Sequence, residues 1–122
     1  MVVIRENTEG EYDNMSGFLY EGNPNEVAIQ TSAFTRQGCE RIIRYSFDLA
    51  RRRSKNNHVT SITKSNALGY GMVLWDRTFA EVAEEYPDIT TNSLLIDAAC
   101  MDFIRRPEAF DVVVASNLFG DI

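Results

Sequence analysis

The sequence predicts an α/β fold, a layered sheet with flanking helices that also carries a β-hairpin arm. Strand-like runs recur along it: VVIREN, HVTSITK, DITTNSLLI and FDVVVAS, with β-branched residues prominent among them. Amphipathic stretches of helical period lie between them, and that alternation marks a layered α/β domain. A turn signal, Gly22-Asn23-Pro24-Asn25, divides MSGFLYEGNPNEVAIQTSAF into two strand-like halves, which makes the arm. A length of 122 residues suits one domain that buries roughly two-thirds of its unfolded surface.

In chain order, VVIREN reads as a short buried strand, an abrupt start for a complete domain. The arm, residues 13–30, leaves Phe18, Leu19 and Tyr20 uncovered. An uncovered strand pair invites edge pairing, so the arm is expected to pack on another chain. Thr35 can cap a helix running to about Arg53, with Cys39, Ile42, Ile43, Ser46, Leu49 and Ala50 on one face. Glu40, Arg41, Arg44, Asp48 and Arg51 take the other face. HVTSITK follows as a strand of polar–apolar alternation ending at Lys64. MVLWDRTFAEVAEEYP is the second helix, with Met72, Trp75, Phe79, Val82 and Tyr86 in register and Pro87 just beyond. After the strand DITTNSLLI, IDAACMDFIRR makes a third helix stopped by Pro107, with Ile96, Ala99, Cys100 and Phe103 inward. FDVVVAS is the last strand, and it runs into a small polar turn at Ser116-Asn117.

Composition removes several function classes. With 44% hydrophobic and 25% charged residues, the chain is an ordinary globular domain. Twelve basic residues against 18 acidic ones give a net charge of −6, which argues against a nucleic-acid surface. Arg51-Arg52-Arg53 reads instead as the solvated end of a helix whose dipole it complements. No apolar run reaches membrane-spanning length, and MVVIREN has no apolar signal core. Cys39 and Cys100 both fall on apolar helical faces and read as reduced core thiols, so the expected setting is cytoplasmic. His58 stands at a loop-to-strand boundary and is given no role.

Polar chemistry gathers beside predicted strand ends in four places: Arg5 to Tyr12, Lys64 to Asn66, Asp97 and Asp121. Each has an ordinary structural explanation. Arg5 can pair with Glu6 or Glu9 on the surface, and Lys64 can be solvated. Asp97 can be a first-turn acid favoured by the helix dipole, and Asp121 likewise in a helix following Phe119-Gly120. Together they supply a carboxylate-binding arginine, a phenol, an amine and two hard oxygen ligands. That set suits a small dicarboxylate held by a divalent metal, with proton transfer close by.

The phrases VVIRENTEGEY, TKSNAL and IDAACMDFIRRPEAFDVVVASNLFGDI resemble the β-decarboxylating, metal-dependent hydroxyacid dehydrogenases, the isocitrate/isopropylmalate dehydrogenase family. RENTEGEY, TKSNAL and ASNLFGDI look most like the tartrate/D-malate dehydrogenase branch. The resemblance implies an NAD-dependent enzyme that uses Mg²⁺ or Mn²⁺ and works as a homodimer through the hairpin arm. It implies that Arg5 grips a substrate carboxylate and that Tyr12 is the acid toward the enolate left after decarboxylation. Lys64 would assist removal of the hydroxyl proton, and Asn66 would sit near nicotinamide and substrate. Asp97 and Asp121 would be metal ligands, with Lys64 and Asp97 serving the second subunit's site.

Members of that family are longer than this chain. The resemblance therefore implies that residues 1–122 are a single partial domain, most of the small domain with its arm. The family pattern continues to another metal-binding aspartate one helical turn after Asp121. It also has an upstream arginine-rich substrate segment and a downstream adenosine loop, so the isolated chain is expected to be inactive. The competing reading is a non-catalytic α/β dimerisation module derived from such an enzyme. The length of the native open reading frame separates the two.

Overall fold

The computed structural model describes residues 1–7, 10, 17–29, 32–66 and 69–121, with backbone alone for Leu118 and Asp121. Tyr12, the first part of the predicted arm (13–16) and its last residue (30) lie outside the described residues. The expected α/β architecture is present. Strands β1 (Val2–Arg5), β4 (His58–Thr63), β5 (Thr90–Leu95) and β6 (Val112–Ala115) form a four-stranded sheet in the order β1-β6-β4-β5. Every pairing in it is parallel. Strands β2 (Gly17–Leu19) and β3 (Val27–Ile29) form the separate antiparallel hairpin, with Phe18 opposite Ala28.

Helix α1 (Arg36–Arg53) begins as its sequence dictates: the Thr35 side chain accepts from the Gly38 N–H at 3.0 Å. It ends at Ser54, whose φ of 50° places it in the left-handed region. Helix α2 (Gly71–Ala83) packs beside it on one face of the sheet. Ile43, Phe47, Trp75 and Val82 are almost wholly buried at this junction. The Phe47 ring lies 5.5 Å from that of Phe79 and 5.0 Å from that of Tyr86. Tyr86 belongs to the turn after α2 rather than to the helix, but it still closes the same core. Truncating one such aromatic typically costs about 3–5 kcal/mol, so this junction holds much of the fold's stability.

The Trp75 indole N–H donates to Ser61 Oγ at 2.8 Å, which puts Ser61 on the α1/α2 face. Alternation then turns Ile62 to the other face. There it meets Val113, Ala115, Ile96 and Phe103 around an apolar cavity of about 210 Å³. Ile96 and Phe103 belong to helix α3 (Ile96–Arg105), and the short helix α4 (Asn117–Asp121) contributes Phe119 and Gly120. This second face is more open: Met101 is 52% exposed and Ile104 85%.

Four expectations need correction. HVTSITK does not alternate between core and solvent; Val59 to Thr63 are all buried, because β4 is central and covered on both faces. VVIREN is an edge strand, not a buried one, and Val3 is exposed. The helix at the C-terminus begins at Asn117, so Asp121 ends the described helix instead of opening a later one. Arg53 is not solvated like Arg51 and Arg52: its Nε lies 3.2 Å from the buried Asp111 carboxylate.

Candidate active site at the carboxyl edge of the sheet

Four strands running one way bring their carboxyl ends to one edge. Arg5 pairs in register with Ala115, Ser61 with Val114, and Thr63 with Leu95. Arg5 therefore ends β1, Asn117 follows the end of β6, Lys64 follows β4, and Asp97 follows β5. In open parallel sheets the crevice beyond these ends is where ligands bind, since strand ends converge and helices begin there. Candidates scattered through the sequence are thus collected along one edge by topology.

Among the described residues, the edge carries two polar groups. In the first, the half-buried Arg5 side chain lies against the start of α4. Its Nε donates to the Asn117 carbonyl at 3.1 Å, and its Nη2 donates to Asn117 Oδ1. Its Nη1 donates to Asn7 Oδ1 at 2.7 Å. Arg5 thus takes two asparagines, Asn117 and Asn7, as hydrogen-bond partners. Glu6 is buried and accepts from the Asn7 N–H at 2.9 Å, with Arg41 at 3.4 Å. Gly10, with φ of 112°, exchanges backbone hydrogen bonds with Ala33 and returns the chain beside Asn117.

In the second group, Lys64 Nζ lies 2.7 Å from Asp97 Oδ2. Lys64 is partly enclosed, at 24% side-chain exposure, while Asp97 is open at 76%. A pair this exposed contributes about 0–1 kcal/mol to stability, so its value to the fold is small. Asp97 is also a first-turn acid of α3, where the helix dipole favours it. Asn66 is exposed in the turn beyond Lys64. β6 lies between β1 and β4, so the two groups stand about 10 Å apart, two strand spacings.

Sequence reasoning missed Asn117 and Gly120 as neighbours of Arg5. Only Ser116-Asn117, read as a small polar turn, hinted at Asn117. The clearest shifts in titration lie elsewhere. The Arg51 guanidinium grips Asp88 through two hydrogen bonds, 2.6 and 3.0 Å, and holds its carboxyl below the usual range. Burial, then the hydrogen bond to Asp48, pushes the Tyr86 phenol up. Both groups precede β5 and belong to the amino edge of the sheet.

This fold defines an open α/β domain whose parallel strands all end at one edge. The isocitrate/isopropylmalate dehydrogenase profile matches residues 1–122, and the chain belongs to that family. It is 51% identical over 122 residues to tartrate dehydrogenase/decarboxylase of Pseudomonas putida, covering 99% of this chain and 33% of that protein. It is 52% identical over 120 residues to D-malate dehydrogenase (decarboxylating) of Escherichia coli K12, covering 98% and 33%. The isocitrate dehydrogenase structure from Methylococcus capsulatus superposes with a TM-score of 0.88 at 41% identity, covering 98% of this chain and 35% of that one. The chain spans about a third of the length of the curated relatives it matches.

Proposed function

We propose that this chain forms part of an NAD-dependent, divalent-metal-dependent dehydrogenase that oxidises and decarboxylates a 2-hydroxy dicarboxylate such as tartrate or D-malate. The observation that carries this reading is the convergence of Arg5, Lys64, Asp97 and α4 on one sheet edge. The planar Arg5 guanidinium, held against α4, is suited to grip a substrate carboxylate. Lys64, just beyond the central strand β4 and bonded to Asp97, is assigned to assist removal of the hydroxyl proton. Tyr12 is assigned the return of a proton to carbon after carbon dioxide leaves. Asn66, exposed next to this edge, offers an amide that matches the nicotinamide carboxamide.

Asp97 and Asp121 are hard oxygen donors, the chemistry that suits Mg²⁺ or Mn²⁺. When bound, the cation supplies Lewis-acid polarisation of the substrate hydroxyl, and NAD supplies the hydride acceptor. β4 separates β5 and β6, so the strand ends that lead into the helices carrying these two aspartates lie about 10 Å apart within one chain. That spacing supports a site shared between subunits, with Asp97 and Lys64 serving the partner. The hairpin supports the same arrangement: Phe18 is 59% exposed and Tyr20 71%, apolar surface for a paired arm to cover. The assembly is accordingly a homodimer, and the free Cys39 and Cys100 fit a reducing cytoplasmic setting.

The test is direct. The product of the native open reading frame, given NAD⁺, Mn²⁺ and D-malate or tartrate, is expected to release NADH and carbon dioxide in equal amounts. Absence of NAD-dependent oxidation across a panel of 2-hydroxy dicarboxylates would overturn the reading and favour a non-catalytic dimerisation module.

A further inference from the structure

We propose that Asn117 is a positioning residue for Arg5, and that Gly120 is the clearance that lets it act; this rests on the substrate-gripping role assigned to Arg5. A guanidinium reaches a carboxylate well only when its plane is set, because its N–H groups form a rigid fork. An arginine side chain otherwise keeps several rotatable bonds, and ordering them costs free energy at the moment of binding. Asn117 removes that freedom in advance. Its carbonyl takes the Arg5 Nε–H at 3.1 Å and its Oδ1 takes an Nη2–H, so one residue holds the whole Nε–Nη2 edge.

Gly120 makes the contact possible. A Cβ there would lie 2.6 Å from Arg5 Cγ, 2.9 Å from Cδ and 3.0 Å from Cβ. Those atoms are the near end of the side chain and not its flexible tip, so a residue larger than glycine makes Arg5 or α4 shift. Asn117 and Gly120 also sit on the same short helix whose last described residue is Asp121. The group that grips substrate and the element that carries a metal-directed acid are therefore fastened together. A shift of α4 moves both.

The test has one arm that needs no turnover. The Arg5 Nη2–H signals, whose acceptor is the Asn117 side-chain Oδ1, are followed by nitrogen-resolved NMR, and their exchange with water is timed. Asn117→Ala is expected to speed that exchange at least about tenfold, while Asn117→Asp, which keeps the acceptor, preserves slow exchange. Gly120→Ala is the second variant, expected to speed exchange with Asn117 intact. Exchange unchanged in both Asn117→Ala and Gly120→Ala overturns the proposal.

The second arm uses the full-length dehydrogenase. Asn117→Ala is expected to raise KM for the hydroxyacid about tenfold with kcat within about threefold and the KM for NAD unmoved. In an Arg5→Lys background the same change is expected to add almost nothing, since lysine has no fork to orient. Equal effects in the two backgrounds overturn the proposal. A wild-type protein that turns over no hydroxyacid refutes the dehydrogenase reading instead, and the NMR arm then still decides the positioning role.

Discussion

The two edges of the parallel sheet are both rich in charge, yet the charges are used differently. At the amino edge, each ionic contact ties a helix to a strand or to the turn before it. Arg51 of α1 binds Asp88 ahead of β5 and lies 4.6 Å over the Tyr86 ring, while Tyr86 donates to Asp48 of α1. Arg53 of α1 meets the buried Asp111 ahead of β6. At the carboxyl edge, Arg5, Lys64 and Asp97 stand at or just beyond strand ends; Arg5 holds the start of α4, and the exposed Lys64–Asp97 pair does little for the core. The difference teaches that charge or an ion pair alone does not mark a site. What sets the carboxyl edge apart is alignment of these groups along the ends of the parallel strands.

Substitutions at the two edges should therefore separate turnover from stability. The largest effect is expected from Lys64→Met in the full-length protein, a loss of about 10²–10⁴-fold in kcat. Its melting temperature is expected to stay close to wild type, because an exposed pair contributes little. Retention of more than about a tenth of wild-type kcat would remove Lys64 from the proton-transfer role.

Arg53→Ala should behave in the opposite way. It strands the Asp111 carboxylate, 2% exposed, without its cation. The expected cost is about 3 kcal/mol, read as a lower urea midpoint at unchanged slope, with turnover per folded molecule preserved. A midpoint within error of wild type would show that Asp111 is compensated in some other way.

Away from both edges, Ala28→Pro in the hairpin deletes one strand donor and is expected to weaken self-association without lowering the melting temperature of the layered sheet. Sedimentation across a concentration series reads this. A wild-type protein that runs as a clean monomer at micromolar concentration would leave the arm without its assigned role.

The smallest effects are in pH dependence at the amino edge. The folded-state pKa of Asp88 is lowered by Arg51, so the pair's stabilisation is present above the ordinary carboxylate value and is lost as pH falls through the lowered one. Asp88→Asn should flatten the acid limb of the stability curve. The folded-state pKa of Tyr86 is raised, so its contribution holds below the ordinary tyrosine value near 10 and is lost as pH climbs through the raised one. Tyr86→Phe should flatten the alkaline limb. Chemical denaturation at stepped pH checks both, and limbs of unchanged slope would contradict the assignment.

Local pattern fixes the order and kind of every main element up to β6, because helical period, capping and turn chemistry act over a few residues; α4 was not among them. Thr35 announces α1, the run of valines announces β6, and Pro107 stops α3, all within a few residues of where they act. The motifs around Arg5, Lys64 and Asp97 were legible too, since each lies beside a strand end that can be read locally, whereas Asp121 ends the described helix after β6. What only the tertiary structure decided is which strand is central and which residues meet. Alternation reports one covered face, so it cannot show that β4 is buried on both or that β1 forms an edge. Nor can local pattern join Arg5 to Asn117, 112 residues apart, or Ser61 to Trp75. Those contacts exist because parallel pairing of β1 with β6 brings the two ends of the chain to one edge, a non-local choice made by packing.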